Sequence, residues 1–319
     1  MTAAPFKVLL TNPMQEAEQA RLAASAQVVV AHSADANTLR ALIADADALV
    51  VRAKLPDDIF DYQTRLKGVV RHGVGLDMIP VRQATAHRIP VANIPGSNTS
   101  SVVEYCLNAM FRLLRNMESL ALRDPVRDWA SVRPRADSTL ELNGQTLGIV
   151  GVGAIGGALA RVALALGMEV LGLSRRPESL PECVTYADKP TLFSRADIVV
   201  LTCPLTDETR DLVDAPTLAL MKPSALLINV SRGPVVDTAA LITALREHRL
   251  GGAVLDVHDV QPIPDGLYPA GLERLLLTPH VAGVTRSSME RMSRGVVDEI
   301  LRLMNGQRFA NLVNPEVLA

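Results

Sequence analysis

Cysteine is scarce in this chain, and neither sign of charge is in excess. The three cysteines (Cys106, Cys183, Cys203) are odd in number and lack metal-ligand spacing, which argues against a disulfide framework and for a reducing compartment. Lys and Arg number 32 against 34 Asp and Glu, so the charge balance recommends neither nucleic acid nor a membrane surface as a partner. No repeat or low-complexity segment is evident. The opening residues, Met-Thr-Ala-Ala-Pro-Phe-Lys, lack the charged-then-apolar layout of a secretion signal. The apolar stretch 147–173 is interrupted by Arg161, Glu169 and a glycine turn, so no membrane span is expected. None of the histidines shows metal-ligand spacing, and no metal is expected. A soluble, cytoplasmic protein is the expectation.

At 319 residues with 48% hydrophobic and 21% charged residues, the chain can build two domains, each with its own core. Short apolar runs at 6–10, 28–31, 48–51, 68–71 and 89–92 alternate with Ala- and Leu-rich segments of helical spacing at 16–24 and 36–44. The pattern recurs later, with strands expected at 198–201, 226–230 and 252–255 and a helix at 238–246 capped by Asp237. Alternating strands and helices predict parallel sheets covered on both faces: an α/β protein of two doubly wound, Rossmann-like units. A long helix over 98–115 bridges them, with Thr99, Ser100 and Ser101 as capping candidates and Glu104 as a first-turn acid. An amphipathic helix over 287–304 leads back. The first domain is then discontinuous, 1–98 plus 286–319, around a second at 99–285.

The most informative segment is Leu147-Gly-Ile-Val-Gly-Val-Gly-Ala-Ile-Gly-Gly157. An apolar strand precedes it, a helix-forming run (158–166) follows, and a second strand (168–173) comes next. In that context Gly151 permits a tight turn, Gly153 lets the backbone approach a pyrophosphate, and Gly156 lets the helix pack on the strand. The phosphates would rest on N–H groups at the helix N-terminus, where the macrodipole favours negative charge. A glycine-rich turn without ligand is the plainer reading.

Further segments fall at the C-terminal ends of expected strands, where open α/β sheets place their sites. They are His72-Gly-Val-Gly-Leu-Asp77, Cys203-Pro-Leu-Thr206, Asn229-Val-Ser-Arg-Gly233, Leu255-Asp-Val257 and Thr278-Pro-His280. Together with the glycine turn, in this order and spacing, they resemble the D-isomer-specific 2-hydroxyacid dehydrogenases over nearly the whole chain. Arginine can hold a carboxylate bidentately and polarise an adjacent carbonyl, and Arg232 is the candidate. Histidine suits a proton exchanged near neutral pH, and His280 matches the family's acid/base.

The resemblance further implies that backbone N–H groups of Val74 and Gly75 receive the substrate carboxylate. Lys54 joins them or is a solvated lysine. It implies a dinucleotide site of Gly151, Gly153, Ala154, Ile155, Gly156, Ser174, Arg175, Arg176, Cys203, Pro204, Thr209, Val230, Ser231, Asp256, His280 and Gly283. Asp256 would receive the carboxamide, or is a strand-end cap. For His72 and His258 the default is packing or solvent. Closure of the two domains would exclude water from the reaction.

Two positions depart from the family. The glutamate that usually orients the histidine is replaced by Gln261, which can accept an imidazole N–H but cannot stabilise an imidazolium as a carboxylate does. Asp259 or Asp265 is a weaker substitute. The acid about 20 positions after the glycine turn, which accepts ribose hydroxyls in NAD enzymes, is replaced by Ser174-Arg175-Arg176. A hydroxyl and two guanidiniums suit a 2′-phosphate, so NADP is expected in preference to NAD.

The resulting expectation is an NADPH-dependent reductase of small 2-oxo acids to D-2-hydroxy acids. A Gln–His pair also occurs in related formate dehydrogenases, so formate oxidation is one alternative. A dinucleotide-sensing corepressor of the same superfamily is another. The arginine-rich segment 112–135, with the single tryptophan Trp129, is expected to form a homodimer arm rather than a solvated one.

Overall fold

The computed structural model describes residues 5–272 and 274–318. Short β-branched and aliphatic runs give its strands, and these assemble into separate five- and seven-stranded sheets whose neighbouring strands are all parallel. The chain divides into one unit running to Asn98 and resuming at Val284, and another spanning Thr99–Gly283.

The first unit holds β1 (Lys7–Leu10), β2 (Gln27–Val30), β3 (Ala48–Val51), β4 (Gly68–Arg71) and β5 (Val91–Ala92), in the order β2-β1-β3-β4-β5. Side chains alternate between its faces with period two, as strand geometry requires. Leu9, Leu49, Val51 and Val69 enter one core with Leu39, Ile43, Ile59 and Phe60. Val8, Leu10, Val50 and Val70 enter the other, where the helix Arg286–Met304 supplies Val296, Val297 and Ile300. The returning segment is seated by Gly68, where an added Cβ would lie 2.6 Å from the Phe309 ring.

The second unit holds β6 (Thr146–Val150), β7 (Glu169–Leu173), β8 (Thr185–Tyr186), β9 (Ile198–Leu201), β10 (Leu226–Asn229), β11 (Gly252–Leu255) and β12 (Leu275–Leu277). Their order is β12-β11-β10-β9-β6-β7-β8, so the winding reverses between β6 and β9. Open sheets bind ligands outside the carboxyl ends at such a reversal. The helix Thr99–Arg115 covers one face with Val102, Val103, Cys106 and Met110.

Several details differ from the sequence reading. Glu104 sits in the second turn of its helix, which has no acid in the first, and Ser100 and Ser101 lie inside the helix rather than capping it. The helix after the glycine turn begins at Ala154, because the fingerprint residues themselves form its first turn. Strands β8 and β12 have only two and three residues, too few for a periodic signal. Among the described residues no helix is long and apolar enough to cross a membrane.

Candidate active site

The three fingerprint glycines do three different things. Gly151 has φ +90°, and a Cβ there would come within 2.6 Å of the Cys203 backbone, so it binds the end of β6 to the end of β9. Gly156 would bring a Cβ 2.6 Å from the Gly151 carbonyl oxygen, so the helix Ala154–Ala165 can approach the strand only without a side chain there. Gly153, the N-cap of that helix, meets nothing within 4 Å. Space before a helix N-terminus, with the exposed Ala154 and half-buried Ile155 beside it, fits a pyrophosphate.

The neighbouring strand ends complete this edge. Beyond β7, Ser174 Oγ accepts the Arg176 N–H at 3.1 Å, and both Arg175 and Arg176 are exposed. Beyond β9, Thr209 donates to the Pro204 carbonyl at 2.7 Å and accepts the Thr206 N–H at 2.8 Å, closing the loop. Burial pushes the Cys203 thiol up to about 11, so it stays protonated and shapes the turn instead of reacting.

Strands β10, β11 and β12 are neighbours, and their ends carry the reactive residue types. After β10, Asn229 Oδ1 accepts both the N–H and the hydroxyl of Ser231 (3.0 and 2.7 Å), and Asn229 Nδ2 donates to the Arg232 carbonyl at 2.9 Å. That turn follows the half-buried Val230 and leaves Arg232 half-buried in an extended conformation, with Nη1 donating to the Ser231 carbonyl at 2.6 Å.

After β11, the buried Asp256 carboxylate accepts the Thr278 hydroxyl (2.6 Å) and the N–H groups of Val281 (2.7 Å) and Ala282 (2.9 Å). Its carbonyl accepts the His280 N–H at 2.8 Å. Asp256 therefore builds the turn after β12 that runs to Gly283. The Tyr105 hydroxyl lies 2.6 Å from the Thr278 hydroxyl and extends the chain, and burial pushes it up to about 12.

His280 itself has φ +57°, a left-handed conformation uncommon outside glycine and often found at functional sites. Its exposed ring places Nδ1 3.2 Å from Gln261 Oε1. An amide oxygen can only accept, so Nδ1 carries the hydrogen and proton exchange falls to Nε2. The carboxylate of Asp259 is occupied elsewhere, accepting the Thr238 hydroxyl at 2.8 Å.

The first unit presents a loop after β4 whose carbonyls are tied down. Arg71 donates to the carbonyls of Gly75 (3.1 Å), Val51 (2.8 Å) and His72 (2.7 Å), and Asn93 donates to Val74 (2.7 Å). The N–H groups of Val74 and Gly75 meet no acceptor among the described residues, an arrangement that suits a carboxylate. Lys54 is exposed after β3. Arg52 donates to the Pro13 carbonyl, and the N–H groups of Arg52 and Ala53 share the Thr11 hydroxyl at 2.8 and 3.1 Å. His72 is buried, with Nε2 2.8 Å from Ser293 Oγ. No metal-binding cluster occurs among the described residues.

Residues 107–282 match the family model described as D-isomer specific 2-hydroxyacid dehydrogenase, NAD binding domain. The chain belongs to that family. It is 38% identical over 306 residues to the (S)-sulfolactate dehydrogenase of Chromohalobacter salexigens, covering 93% of this chain and 98% of the relative. It is 35% identical to the glyoxylate reductase of Thermococcus litoralis over 86% of each chain. Among solved structures, the NADPH-dependent glyoxylate/hydroxypyruvate reductase of Sinorhizobium meliloti, in complex with NADP and malonate, superposes with TM-score 0.86 at 30% identity and 98% coverage of both chains.

The dehydrogenase is thus an oxidoreductase acting on CH–OH groups with a nicotinamide cofactor. Its second unit gathers Arg232, Gln261, Asp256 and His280 at the ends of three adjacent strands, while Lys54, Val74 and Gly75 belong to the first. The sequence reading did not single out Asn229, Thr278, Tyr105, Arg71 or Asn93 as builders of these turns. Thr278, Tyr105 and Asn93 reach across to other segments, whereas Asn229 acts within its own turn and Arg71 partly so, and only the flagged motifs around Asn229 and Thr278 hinted at them.

Proposed function

We propose that this dehydrogenase reduces small 2-oxo acids to D-2-hydroxy acids with NADPH. Arg232 pairs with the substrate carboxylate and polarises the adjacent carbonyl, while His280 Nε2 gives its proton to the carbonyl oxygen. The N–H groups of Val74 and Gly75 are a second anchor for the carboxylate, with Lys54 in support. A bound nicotinamide supplies the hydride. The fingerprint turn Gly151–Gly156 holds its pyrophosphate, and the strand-end residues Cys203, Pro204, Thr209, Val230, Ser231 and Gly283 line the rest of the dinucleotide site, with the buried Asp256 shaping the turn beside it rather than receiving the carboxamide. The observation that carries this reading is the His280–Gln261 hydrogen bond at 3.2 Å, in a turn built by Asp256, whose own strand β11 lies beside β10, the strand that presents Arg232.

The exposed Arg175 and Arg176 after Ser174, with no acid in their place, support a 2′-phosphate. The Sinorhizobium relative, solved with NADP, agrees. A second copy of the chain as partner is supported by the exposure of Met117 (69%), Val126 (89%) and Trp129 (62%) on one segment. Three free cysteines fit a cytoplasmic setting.

The test is a spectrophotometric panel of glyoxylate, hydroxypyruvate, pyruvate and 3-sulfopyruvate with NADPH and with NADH, alongside formate with NADP. NADPH-linked turnover of an oxo acid is expected, with kcat/KM at least tenfold lower for NADH. Formate turnover alone would favour the alternative that the Gln261–His280 pair keeps open, hydride transfer without a proton. Dinucleotide binding without any turnover would point to a sensor.

A further inference from the structure

The loop that carries Gln261 and the turn that carries His280 are joined by a third residue, His258. It is buried, 4% exposed, in the loop after β11. Its Nε2 lies 2.9 Å from the Thr278 carbonyl oxygen and its Nδ1 3.0 Å from the Tyr268 hydroxyl. A carbonyl only accepts, so Nε2 carries the hydrogen. In the neutral ring Nδ1 must then accept from Tyr268. Burial pushes the Tyr268 phenol up, which keeps it a donor, and the two rings meet edge to face at 5.6 Å and 71°. The backbone of the same residue closes the circuit. Gln261 Nε2 reaches the His258 carbonyl at 3.4 Å, and Gln261 Oε1 accepts from His280 at 3.2 Å. Thr278, two positions before His280, returns the path to the His258 ring.

We propose that His258 is a positioning residue, stapling the Gln261 loop to the His280 turn so that amide oxygen and imidazole stay in register. The proposal rests on the reading of His280 as the proton donor. A core-filling side chain of similar size would occupy the space, but it could not donate to the Thr278 carbonyl. That carbonyl would keep only the His280 N–H at 3.0 Å, and the direct tie from the Gln261 loop to the His280 turn through the ring would be lost, leaving Asp256 to hold the turn alone. Gln261, tied to its own loop by the long hydrogen bond it donates to the His258 carbonyl, would then lose His280 first.

The experiment compares His258→Phe, His258→Gln, Tyr268→Phe and His280→Gln in the full-length protein, with dinucleotide affinity measured beside kcat, KM and the pH profile of oxo-acid reduction. His258→Phe should keep dinucleotide affinity and lose roughly tenfold in kcat, since misplacing a catalytic group costs rate before binding. Its alkaline limb should move acid-ward by about half a unit, because loss of the Gln261 acceptor disfavours the imidazolium. His258→Gln, whose amide nitrogen can still donate to the Thr278 carbonyl, should restore most of both. Tyr268→Phe should shift both in the same direction but less. If His258→Phe does not fold, His258→Gln and Tyr268→Phe decide: both changes in the stated order support the staple.

A folded His258→Phe with unchanged kcat and pH limb overturns it. So does a parallel fall in kcat and dinucleotide affinity that glutamine does not rescue. Retained turnover in His280→Gln instead overturns the proton-donor reading itself.

Discussion

Gly233 lies against the backbone of His258: a Cβ there would sit 2.1 Å from the His258 carbonyl carbon and 2.4 Å from the Asp259 nitrogen. The turn bearing Arg232 and the loop bearing Gln261 are therefore one packed body, joined where only a hydrogen fits.

Gly233→Ala must displace backbone rather than a side-chain tip. A loss of about 2 kcal/mol or more is expected by chemical denaturation, the cost of overpacking a tight site. kcat should fall as well, since Arg232 and Gln261 move apart. A variant with native stability and turnover would show that the contact is loose in solution.

Gly153 and Gly156 should respond differently to the same substitution. Gly156→Ala meets the Gly151 carbonyl at 2.6 Å and Ile149 at 3.0 Å, so it should melt several degrees lower. Gly153→Ala meets nothing of the protein, so it should melt like the parent yet bind dinucleotide at least tenfold more weakly. Calorimetry and a dinucleotide titration separate the two. Unimpaired binding by Gly153→Ala would place the pyrophosphate elsewhere.

Gln261→Glu should extend oxo-acid reduction toward higher pH. A carboxylate next to His280 Nδ1 favours the charged ring, so the proton donor survives to higher pH by about one unit. The alkaline limb of kcat against pH reads this directly, and an unmoved limb would refute the orienting role of residue 261.

His72 sets a stability window. Burial first, then the nearby Arg52 and Arg71, push its ring down to about 4 from the usual 6.5. The unfolded chain thus binds the proton more readily between those values, so stability falls as pH drops through them, by up to about 3 kcal/mol for this group. His72→Gln should flatten the fall in urea midpoint from pH 6.5 to 4. An equally steep fall would assign the acid sensitivity to other groups.

Much of the fold was legible because its cause is local. Gly68–Arg71 and Ile198–Leu201 are runs of strand length with apolar centres, and Asp237 does cap its helix, accepting the Ala239 and Ala240 N–H groups at 3.0 Å. The misplaced Glu104 shows the limit, because a one-turn error in a helix start is invisible to composition. The reading of His258 as packing or solvent was half of the answer. Burial is what the structure shows, but the ring's two partners lie ten and twenty residues away.

The amino-acid order alone determined which chemistry stands after which strand: glycines after β6, serine and arginines after β7, Arg232 after β10, Asp256 after β11, His280 after β12. It could do so because turn chemistry and short apolar runs depend on near neighbours in the chain. Only the tertiary structure decided that Asp256 spends its carboxylate on the His280 turn, that Asn93 silences the Val74 carbonyl, and that Gly233 and His258 lock two loops together. Those roles arise from hydrogen bonds and contacts between distant segments, which exist only once parallel strands bring their ends to a common edge.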